Sequence, residues 1–262
     1  MVRLGLLFLL FVVASNLTGC GGDSGSSTVG SDFSEPPVPA PAPQTESFQI
    51  LFMGNSHTAA NQLPTMVMEL INEHLPEQLA YVERVAKYQY LAEHATSTQT
   101  LSQLASRQWT HVILQAQKYS QSFTVDYPIT GALSLIAKAQ SQNAIAIMFP
   151  EWAQLSNAAE TEYIHNIHAE IATQSSACVA PIGYAWERAL ELRPELILHA
   201  DDGNHATLTG SYLTALVIFE TITGLPADLL PATDITSIDD DTQRFLGQVV
   251  SYAIANYAPC EY

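Results

Sequence analysis

The sequence predicts an α/β domain of three layers, in which a five-stranded parallel sheet carries helices on both faces. From residue 48 onward, five short apolar runs alternate with longer amphipathic stretches. Parallel strands need long crossover connections, which are usually helices, so this alternation is typical of a parallel sheet. The chain is also long and apolar enough for one such domain, with 262 residues of which 47% are hydrophobic.

The individual elements follow from the hydrophobic periodicity of each segment. Apolar runs of strand length occupy 49–53, 80–85, 111–115, 144–149 and 177–181. Apolar residues at helical spacing predict helices over 63–75, 91–107, 129–142, 158–174, 184–192, 208–223 and 239–257. Pro64 suits the first turn of the first helix, and Gly224 with Pro226 ends the sixth. Sheets of this class place their sites beyond the carboxyl ends of the strands.

The first twenty residues have the features of an export signal. Arg3 precedes an apolar run over 4–14, which is shorter than the roughly 20 apolar residues that span a bilayer. The run LTGC at 17–20 resembles the lipobox of bacterial lipoproteins, where a small residue precedes the cysteine that receives the lipid. We expect a lipoprotein signal peptide over 1–19 and lipidation of Cys20, with palmitate as an acyl chain. An ordinary secretory peptide with a chance cysteine is the alternative.

Residues 20–46 predict the lipidated cysteine and a disordered tether, followed by a folded domain over 47–262. The tether passes from Gly and Ser into a Pro-Ala run with almost no apolar side chains, a composition that cannot bury a core. The expected location is the bacterial cell envelope, with the protein lipid-anchored and facing the periplasm or the cell surface. Gly21 stands where an aspartate would favour the inner membrane, so the outer membrane is the preferred expectation.

The net charge of the chain disfavours two classes of binding partner. There are 9 Lys and Arg against 26 Asp and Glu, a net charge of −17. Such a surface repels phosphate backbones, so we expect no nucleic-acid partner. It also opposes electrostatic docking to anionic lipid, which leaves the lipid on Cys20 as the expected membrane attachment.

Two further cysteines, Cys178 and Cys260, would enter an oxidising compartment after export. A disulfide that ties down the C-terminal segment and a pair of separate thiols are both compatible with the sequence. We expect no metal or cofactor, because the histidines are dispersed and neither paired-cysteine spacing nor a glycine-rich phosphate loop occurs.

Reactive side chains stand after the first strand and before the sixth helix. Ser56 follows the first strand in the run GNS, a turn that can aim a hydroxyl and backbone N–H groups at one point. Asp202 and His205 are three residues apart in a glycine-containing turn, so the carboxylate can hold one imidazole nitrogen while the other faces a nucleophile. Either piece alone is common in loops.

These two motifs resemble the blocks of the SGNH (GDSL-like) hydrolase superfamily, in which G-[DN]-S follows the first strand and D-x-x-H precedes the last helix. Here the blocks read GNS at 54–56 and DGNH at 202–205, in the same order, within a likeness that covers about residues 48–225. The resemblance implies a flavodoxin-like sheet of the SGNH hydrolase type. It also implies serine ester hydrolysis with Ser56, Asp202 and His205 as the catalytic residues.

The resemblance further implies which groups hold the oxyanion, with two departures. The superfamily uses the N–H of the nucleophile, a glycine N–H after the second strand and an asparagine amide after the third. Here Ser56 supplies the first donor, Tyr88 is the nearest match to the glycine, and Gln117 matches the asparagine. Asn55 and Trp152 are expected to line the substrate cleft, although a tryptophan at a core edge is the commoner outcome.

The predicted activity is ester hydrolysis through an acyl-enzyme, removing an acyl group such as acetyl from a carbohydrate or small ester in the envelope. Two alternatives share the same fold: a non-catalytic lipoprotein that binds a glycan or a partner, and an O-acyltransferase with the same triad. The ordered Ser, Asp and His favour an enzyme, because a binding protein has no need of all three. His57, next to the nucleophile, is expected to line the pocket or face solvent rather than act as the base.

Overall fold

The computed structural model describes residues 47–260, so the predicted signal peptide, Cys20 and the tether lie outside the described residues. The strands are β1 (Phe48–Gly54), β2 (Ala80–Tyr88), β3 (His111–Gln115), β4 (Ile145–Phe149) and β5 (Cys178–Val179). All neighbouring pairs are parallel, and the order across the sheet is β2-β1-β3-β4-β5. The predicted five-stranded parallel sheet is confirmed.

Helices connect these strands and cover both faces of the sheet. They are α1 (Ser56–Ala59), α2 (Leu63–His74), α3 (Leu91–His94), α4 (Thr98–Leu104), α5 (Thr130–Gln140), α6 (Ala159–Ser175), α7 (Ile182–Leu192), α8 (Leu208–Thr223) and α9 (Asp240–Asn256). Short 3-10 turns occur at Ala60–Gln62 and Ala227–Leu229. Within residues 47–260, no helix combines the length and the apolar character needed to cross a membrane.

Alternation along β1 explains the three layers. Successive side chains of a strand point to opposite faces. Accordingly, Ile50 and Phe52 pack into one core with α2, α7, α8 and α9, while Leu51 and Met53 pack into a second core with α3, α4, α5 and α6. All four side chains are fully buried. A strand that is apolar on both faces therefore specifies a sheet that is covered on both faces.

The helix predicted over 91–107 is two helices, which is a correction. The chain leaves α3 after His94, and Ser97 caps α4 by accepting a hydrogen bond from the backbone N–H of Thr100. The buried ring of His94 lies between the carbonyl oxygen of Gly54, at 3.1 Å, and the hydroxyl of Thr100, at 2.9 Å. The break thus turns a polar ring toward the end of β1, which apolar periodicity does not reveal.

The C-terminal segment is fastened to the edge of the sheet. A disulfide joins Cys178 in β5 to Cys260, across 82 residues of sequence. Beside it, the backbone N–H of Val179 donates to the carbonyl oxygen of Pro259 at 2.6 Å. The sequence was compatible with both a disulfide and free thiols, and the structure selects the disulfide. The segment also occupies a hydrogen-bonding group of the edge strand.

Candidate active site

The turn after β1 brings Ser56 to the carboxyl edge of the sheet. β1 ends at Gly54, and Ser56 begins α1. Asn55 caps this short helix, since its side-chain oxygen accepts a hydrogen bond from the backbone N–H of His57 at 3.0 Å. The backbone N–H of Ser56 has no hydrogen-bond acceptor among the described residues. It is therefore free to donate to a ligand.

A buried glutamine at the end of β3 forms hydrogen bonds with the turn that carries Ser56. The Oε1 of Gln115 accepts hydrogen bonds from the backbone N–H of Asn55 at 2.8 Å and from the hydroxyl of Thr58 at 2.9 Å. Its Nε2 donates to Oε2 of Glu151 at 2.6 Å. Gly54 leaves the space for this contact, because a Cβ there would stand 2.3 Å from the Gln115 oxygen. The glycine of the motif is required by the glutamine and not by a positive φ.

The structure brings Ser56, His205 and Asp202 together. Oγ of Ser56 lies 2.7 Å from Nε2 of His205, and Nδ1 of His205 lies 2.6 Å from Oδ2 of Asp202. The hydrogen bond from His205, with those from the backbone N–H groups of Asn204 and His205, holds the pKa of Asp202 below its usual range. An ionised Asp202 accepts the Nδ1–H, so Nε2 of the neutral ring is left to accept the Ser56 proton.

The loop that carries Asp202 and His205 is fastened at both ends. Gly203 has a φ of +67°, a left-handed conformation that glycine adopts without strain. An antiparallel bridge pairs His199 with Ala206 across the loop. From the nucleophile side, Nδ2 of Asn61 donates to the carbonyl oxygen of Ala206 at 3.0 Å and to the hydroxyl of Ser211 at 2.9 Å. Asn61 thus links the segment after Ser56 to the histidine loop, a role that the sequence analysis missed.

His57 lies against the imidazole of His205 rather than in solvent. Its ring stacks on that of His205, with centroids 4.8 Å apart and an interplanar angle of 21°, and it meets the edge of Trp152 at 5.2 Å. The side chain is only 6% exposed. Burial, and to a lesser degree the charge on His205, lowers the pKa of His57 to about 4. His57 is therefore neutral near pH 7, in keeping with a role other than that of the general base.

The pocket in front of Ser56 has a volume of about 620 Å³. The loops after β1, β2, β3 and β4 supply most of its wall, as expected at the carboxyl edge of a parallel sheet. Asn55 lines this pocket, where the sequence placed it. The polar and aromatic lining comprises Asn55, Ser56, His57, Tyr90, Lys118, Tyr119, Ser120, Gln121, Ser122, Tyr127, Glu151, Gln154 and Asn204, with Val125 as the aliphatic member.

Trp152 does not line that pocket, contrary to the prediction. It is 3% exposed and stacks on Trp186 with ring centroids 4.1 Å apart and nearly parallel planes. Its Nε1 donates to the carbonyl oxygen of Asn204 at 2.9 Å, so the indole supports the histidine loop from behind. Both tryptophans line a separate pocket of about 290 Å³. Trp152 is thus the core-edge tryptophan that the sequence left open.

The side-chain amide of Gln117, predicted as an oxyanion donor, does not face Ser56. The Nε2 of Gln117 is directed at the carbonyl oxygens of Lys118, at 3.2 Å, and Pro128, at 3.4 Å, and the side chain is 4% exposed. Ala116, with a φ of +75°, interrupts the strand alternation, so Gln115 and Gln117 do not share a face. Tyr88, whose backbone N–H was the second predicted donor, is 59% exposed and lines a different pocket. The tyrosine after β2 that lines the pocket of Ser56 is Tyr90.

Glu151 is an acidic group at the back of the same pocket. Burial raises its pKa to about 7, against the opposing hydrogen bond from Gln115. Its carboxyl group therefore gains its proton in the neutral range. Within the described part of the chain, no group of three or more His, Cys, Asp or Glu side chains is arranged to hold a metal ion.

Comparison with known proteins places this architecture. No protein-family profile and no curated protein matches the chain by sequence. Among solved structures, a protein from Slackia heliotrinireducens assigned as an SGNH hydrolase aligns with a TM-score of 0.55 and 26% identity, over 68% of this chain and 100% of its own. The predicted resemblance to the SGNH hydrolase superfamily is thus supported by a solved structure of the same fold.

Two more distant solved structures share the same fold. A DUF4886 family protein from Bacteroides uniformis has a TM-score of 0.61 at 14% identity, over 79% of this chain and 95% of its own. An acetylxylan esterase from Geobacillus stearothermophilus has a TM-score of 0.51 at 12% identity, over 68% and 93%. With this fold, and with Ser56, His205 and Asp202 in hydrogen-bond contact, the protein is a serine carboxylic ester hydrolase.

Proposed function

We propose that this SGNH hydrolase removes an acyl group, such as acetyl, from a carbohydrate or small ester by way of an acyl-enzyme. The observation that carries the proposal is the continuous hydrogen-bonded series from Ser56 through His205 to Asp202, which opens on a polar pocket. A pocket of about 620 Å³ lies in the size range of small-molecule sites. Its mixture of amides, hydroxyls and tyrosines suits a hydroxylated substrate.

In the acylation step, Oγ of Ser56 attacks the carbonyl carbon of the ester while its proton moves to Nε2 of His205. The Asp202 carboxylate holds Nδ1–H and stabilises the imidazolium that forms. The C–O bond to the alcohol then breaks, and the leaving oxygen takes the proton from Nε2. The products of this step are the free alcohol and an acyl ester on Ser56.

In the deacylation step, water loses a proton to Nε2 of His205 as its oxygen attacks the acyl carbon. Collapse of the second tetrahedral intermediate releases the acid and returns the proton to Ser56. The side chains of His205 and Asp202 are 35% and 51% exposed, so water reaches the site readily. This exposure favours hydrolysis over acyl transfer, which requires that water be kept out.

The developing oxyanion needs donors that are already in place. The unpaired backbone N–H of Ser56 is one such donor, worth on the order of 10²–10³ in rate for a typical site. Because the amide of Gln117 is directed at two carbonyl oxygens, we assign the second donor to an amide side chain that lines the pocket, that of Asn55 or Asn204. Lipidation at Cys20 would place the reaction in the cell envelope.

Labelling of the purified full chain with a fluorophosphonate, together with a panel of acyl esters, tests this function. The wild type should label on Ser56 near pH 7 and hydrolyse short-chain esters. Ser56→Ala and His205→Ala should do neither, and Asp202→Asn should lose about 10⁴ in kcat, as in a well-studied triad. The three losses should not add, because the residues act as one unit. A folded wild type that neither labels nor cleaves any ester would instead support the binding lipoprotein.

A further inference from the structure

The pocket in front of Ser56 contains one fixed positive charge on a strongly acidic protein. Lys118 and Glu151 are the only Lys, Arg, Asp or Glu side chains in its lining. The whole chain has a net charge of −17, so most of its surface repels anions. Glu151 is turned inward to Gln115, and its raised pKa of about 7 reduces its charge in the neutral range. Lys118 is thus the charged side chain with which a ligand in this pocket would interact.

The ammonium group of Lys118 is positioned but not neutralised. No carboxylate within residues 47–260 lies within 4.0 Å of it, whereas Arg188 and Arg193 each pair with an acidic side chain. It stands 4.3 Å from the ring centroid of Tyr127 and 5.6 Å from that of Tyr90, and both tyrosines line the same pocket. Aromatic faces hold a cation without consuming its charge or all of its N–H donors.

A cation that is held in a ligand pocket without an internal counter-ion suits an anionic group on the ligand. We propose that Lys118 selects esters that carry a carboxylate, so that the substrate class is an acylated acidic compound, such as an acylated uronic acid, rather than a neutral sugar. This inference rests on the proposed function for the chemistry at Ser56. The carboxylate can belong to the alcohol or to the acyl part of the ester, and the experiment below separates the two.

Binding to the Ser56→Ala full chain gives a test that does not depend on turnover. The alcohol-side pair is O-acetylated methyl galactoside and the matched O-acetylated methyl galacturonide; the acyl-side pair is 4-nitrophenyl butyrate and 4-nitrophenyl hemisuccinate. Titrations should be run near 0.15 M salt, where the Debye length of about 8 Å screens the repulsion from the whole protein but not a direct contact. We expect the anionic member of one pair to bind about 3- to 10-fold more tightly, the range of a partly exposed ion pair.

Substitutions at two lysines show whether Lys118 causes the tighter binding of the anionic ligand. Lys118→Met should bring the anionic and neutral members of the pair to equal affinity, and Lys118→Arg should retain most of the preference. Lys138→Met, an exposed lysine of α5 outside the pocket lining, controls for the loss of one positive charge and should behave as the parent. In the active chain, Lys118→Met should raise KM for the anionic ester with little change in kcat.

The outcomes separate this inference from the proposed function. A preference in the sugar pair assigns the carboxylate to the alcohol, and one in the nitrophenyl pair assigns it to the acyl group. Equal affinity within both pairs, or a preference that survives Lys118→Met, would overturn the inference. Ser56-dependent hydrolysis of the neutral esters would then still stand. Conversely, binding selectivity without any ester cleavage would preserve the anion site and reject the esterase.

Discussion

At the scale of single residues, the turn that carries Ser56 is held by a side chain outside the GNS and DGNH motifs. Gln115 reads as the last residue of an apolar strand, yet it holds the backbone of Asn55, the hydroxyl of Thr58 and the carboxyl of Glu151. A buried polar residue must satisfy its hydrogen bonds. A polar glutamine at the end of an apolar strand was therefore the sequence feature that could have identified Gln115. The match to the asparagine position of the superfamily favoured Gln117 instead.

The stack of His57 on His205 leads to a prediction about positioning. His57→Ala should lower kcat about 3- to 10-fold with little change in KM, because an aromatic pair contributes about 0.5–1.5 kcal/mol to the placement of a ring. His57→Phe keeps a ring face against the imidazole and should restore most of the loss. Steady-state kinetics on an activated ester measure both values. Equal kcat for His57→Ala and the wild type would show that His205 is positioned without the stack.

Glu151 leads to a prediction about stability and pH. Its pKa is raised in the folded protein to about 7 from an ordinary value of 4.5. Between these values the folded state binds more protons than the unfolded state, so this group's contribution to stability is full below about pH 4.5 and is lost as the pH rises toward 7. Relative to Glu151→Gln, the wild type should lose about 3 kcal/mol of unfolding free energy across that window and then level off.

Urea unfolding of the wild type and of Glu151→Gln at pH 4.5, 5.5, 6.5 and 7.5 measures the difference between their free energies of unfolding. Titrating groups that the two proteins share contribute equally to both values and drop out of this difference. Glu162→Gln, an exposed glutamate of α6, controls for the removal of one carboxyl group. A wild-type-minus-variant difference that does not change with pH would mean that Glu151 is not the buried titrating group.

At the scale of elements, the short edge strand β5 depends on a distant segment. It has two residues and pairs on one side with β4, while its other side meets the C-terminal segment through the disulfide and the hydrogen bond from Val179 to Pro259. The alternation of apolar runs predicted this strand, but over 177–181, which is longer than the strand in the structure. The strand is shorter because Pro181 caps α7 and, within residues 47–260, no further strand pairs with it.

The disulfide between Cys178 and Cys260 leads to a prediction about stability. It closes a loop of 82 residues. Such a crosslink restricts the unfolded chain and typically contributes about 2–4 kcal/mol. The double variant Cys178→Ala/Cys260→Ala should therefore unfold at a clearly lower temperature than the oxidised wild type. Reductant should lower the wild-type transition and leave that of the double variant unchanged; a transition shared by all samples would remove the disulfide from the stabilising interactions.

At the scale of the whole molecule, charge and attachment are linked. A chain with a net charge of −17 does not adhere to anionic lipid by electrostatics. The lipid predicted on Cys20 would therefore be the means of attachment, and acyl chains contribute about 0.8 kcal/mol for each buried CH₂ group. The tether predicted over 20–46 would separate the hydrolase domain from the bilayer.

Replacement of the lipidated cysteine tests the attachment. Cys20→Ala expressed in a bacterial host should shift from the detergent phase to the aqueous phase, or accumulate as an unprocessed form, while the hydrolase domain keeps its activity. Metabolic labelling with a palmitate analogue should mark the wild type alone. A variant that enters the detergent phase as fully as the wild type would contradict the lipoprotein prediction.

The sequence by itself determined the order of strands and helices, the three layers and the meeting of Ser56 with the loop of Asp202 and His205. The elements and layers depend on local periodicity, and the position of Ser56 on the rule that parallel strands place their carboxyl ends at one edge. The pairing of Ser56 with Asp202 and His205 was implied by the resemblance of GNS and DGNH to the blocks of the SGNH superfamily. The tertiary structure alone decided which polar groups share that edge. Its left-handed Ala116 directs Gln115 and Gln117 to different surroundings, and the short helix α1 presents His57 to His205. Such choices depend on single backbone angles and on contacts across 50 to 150 residues, for which one sequence carries no periodic signal.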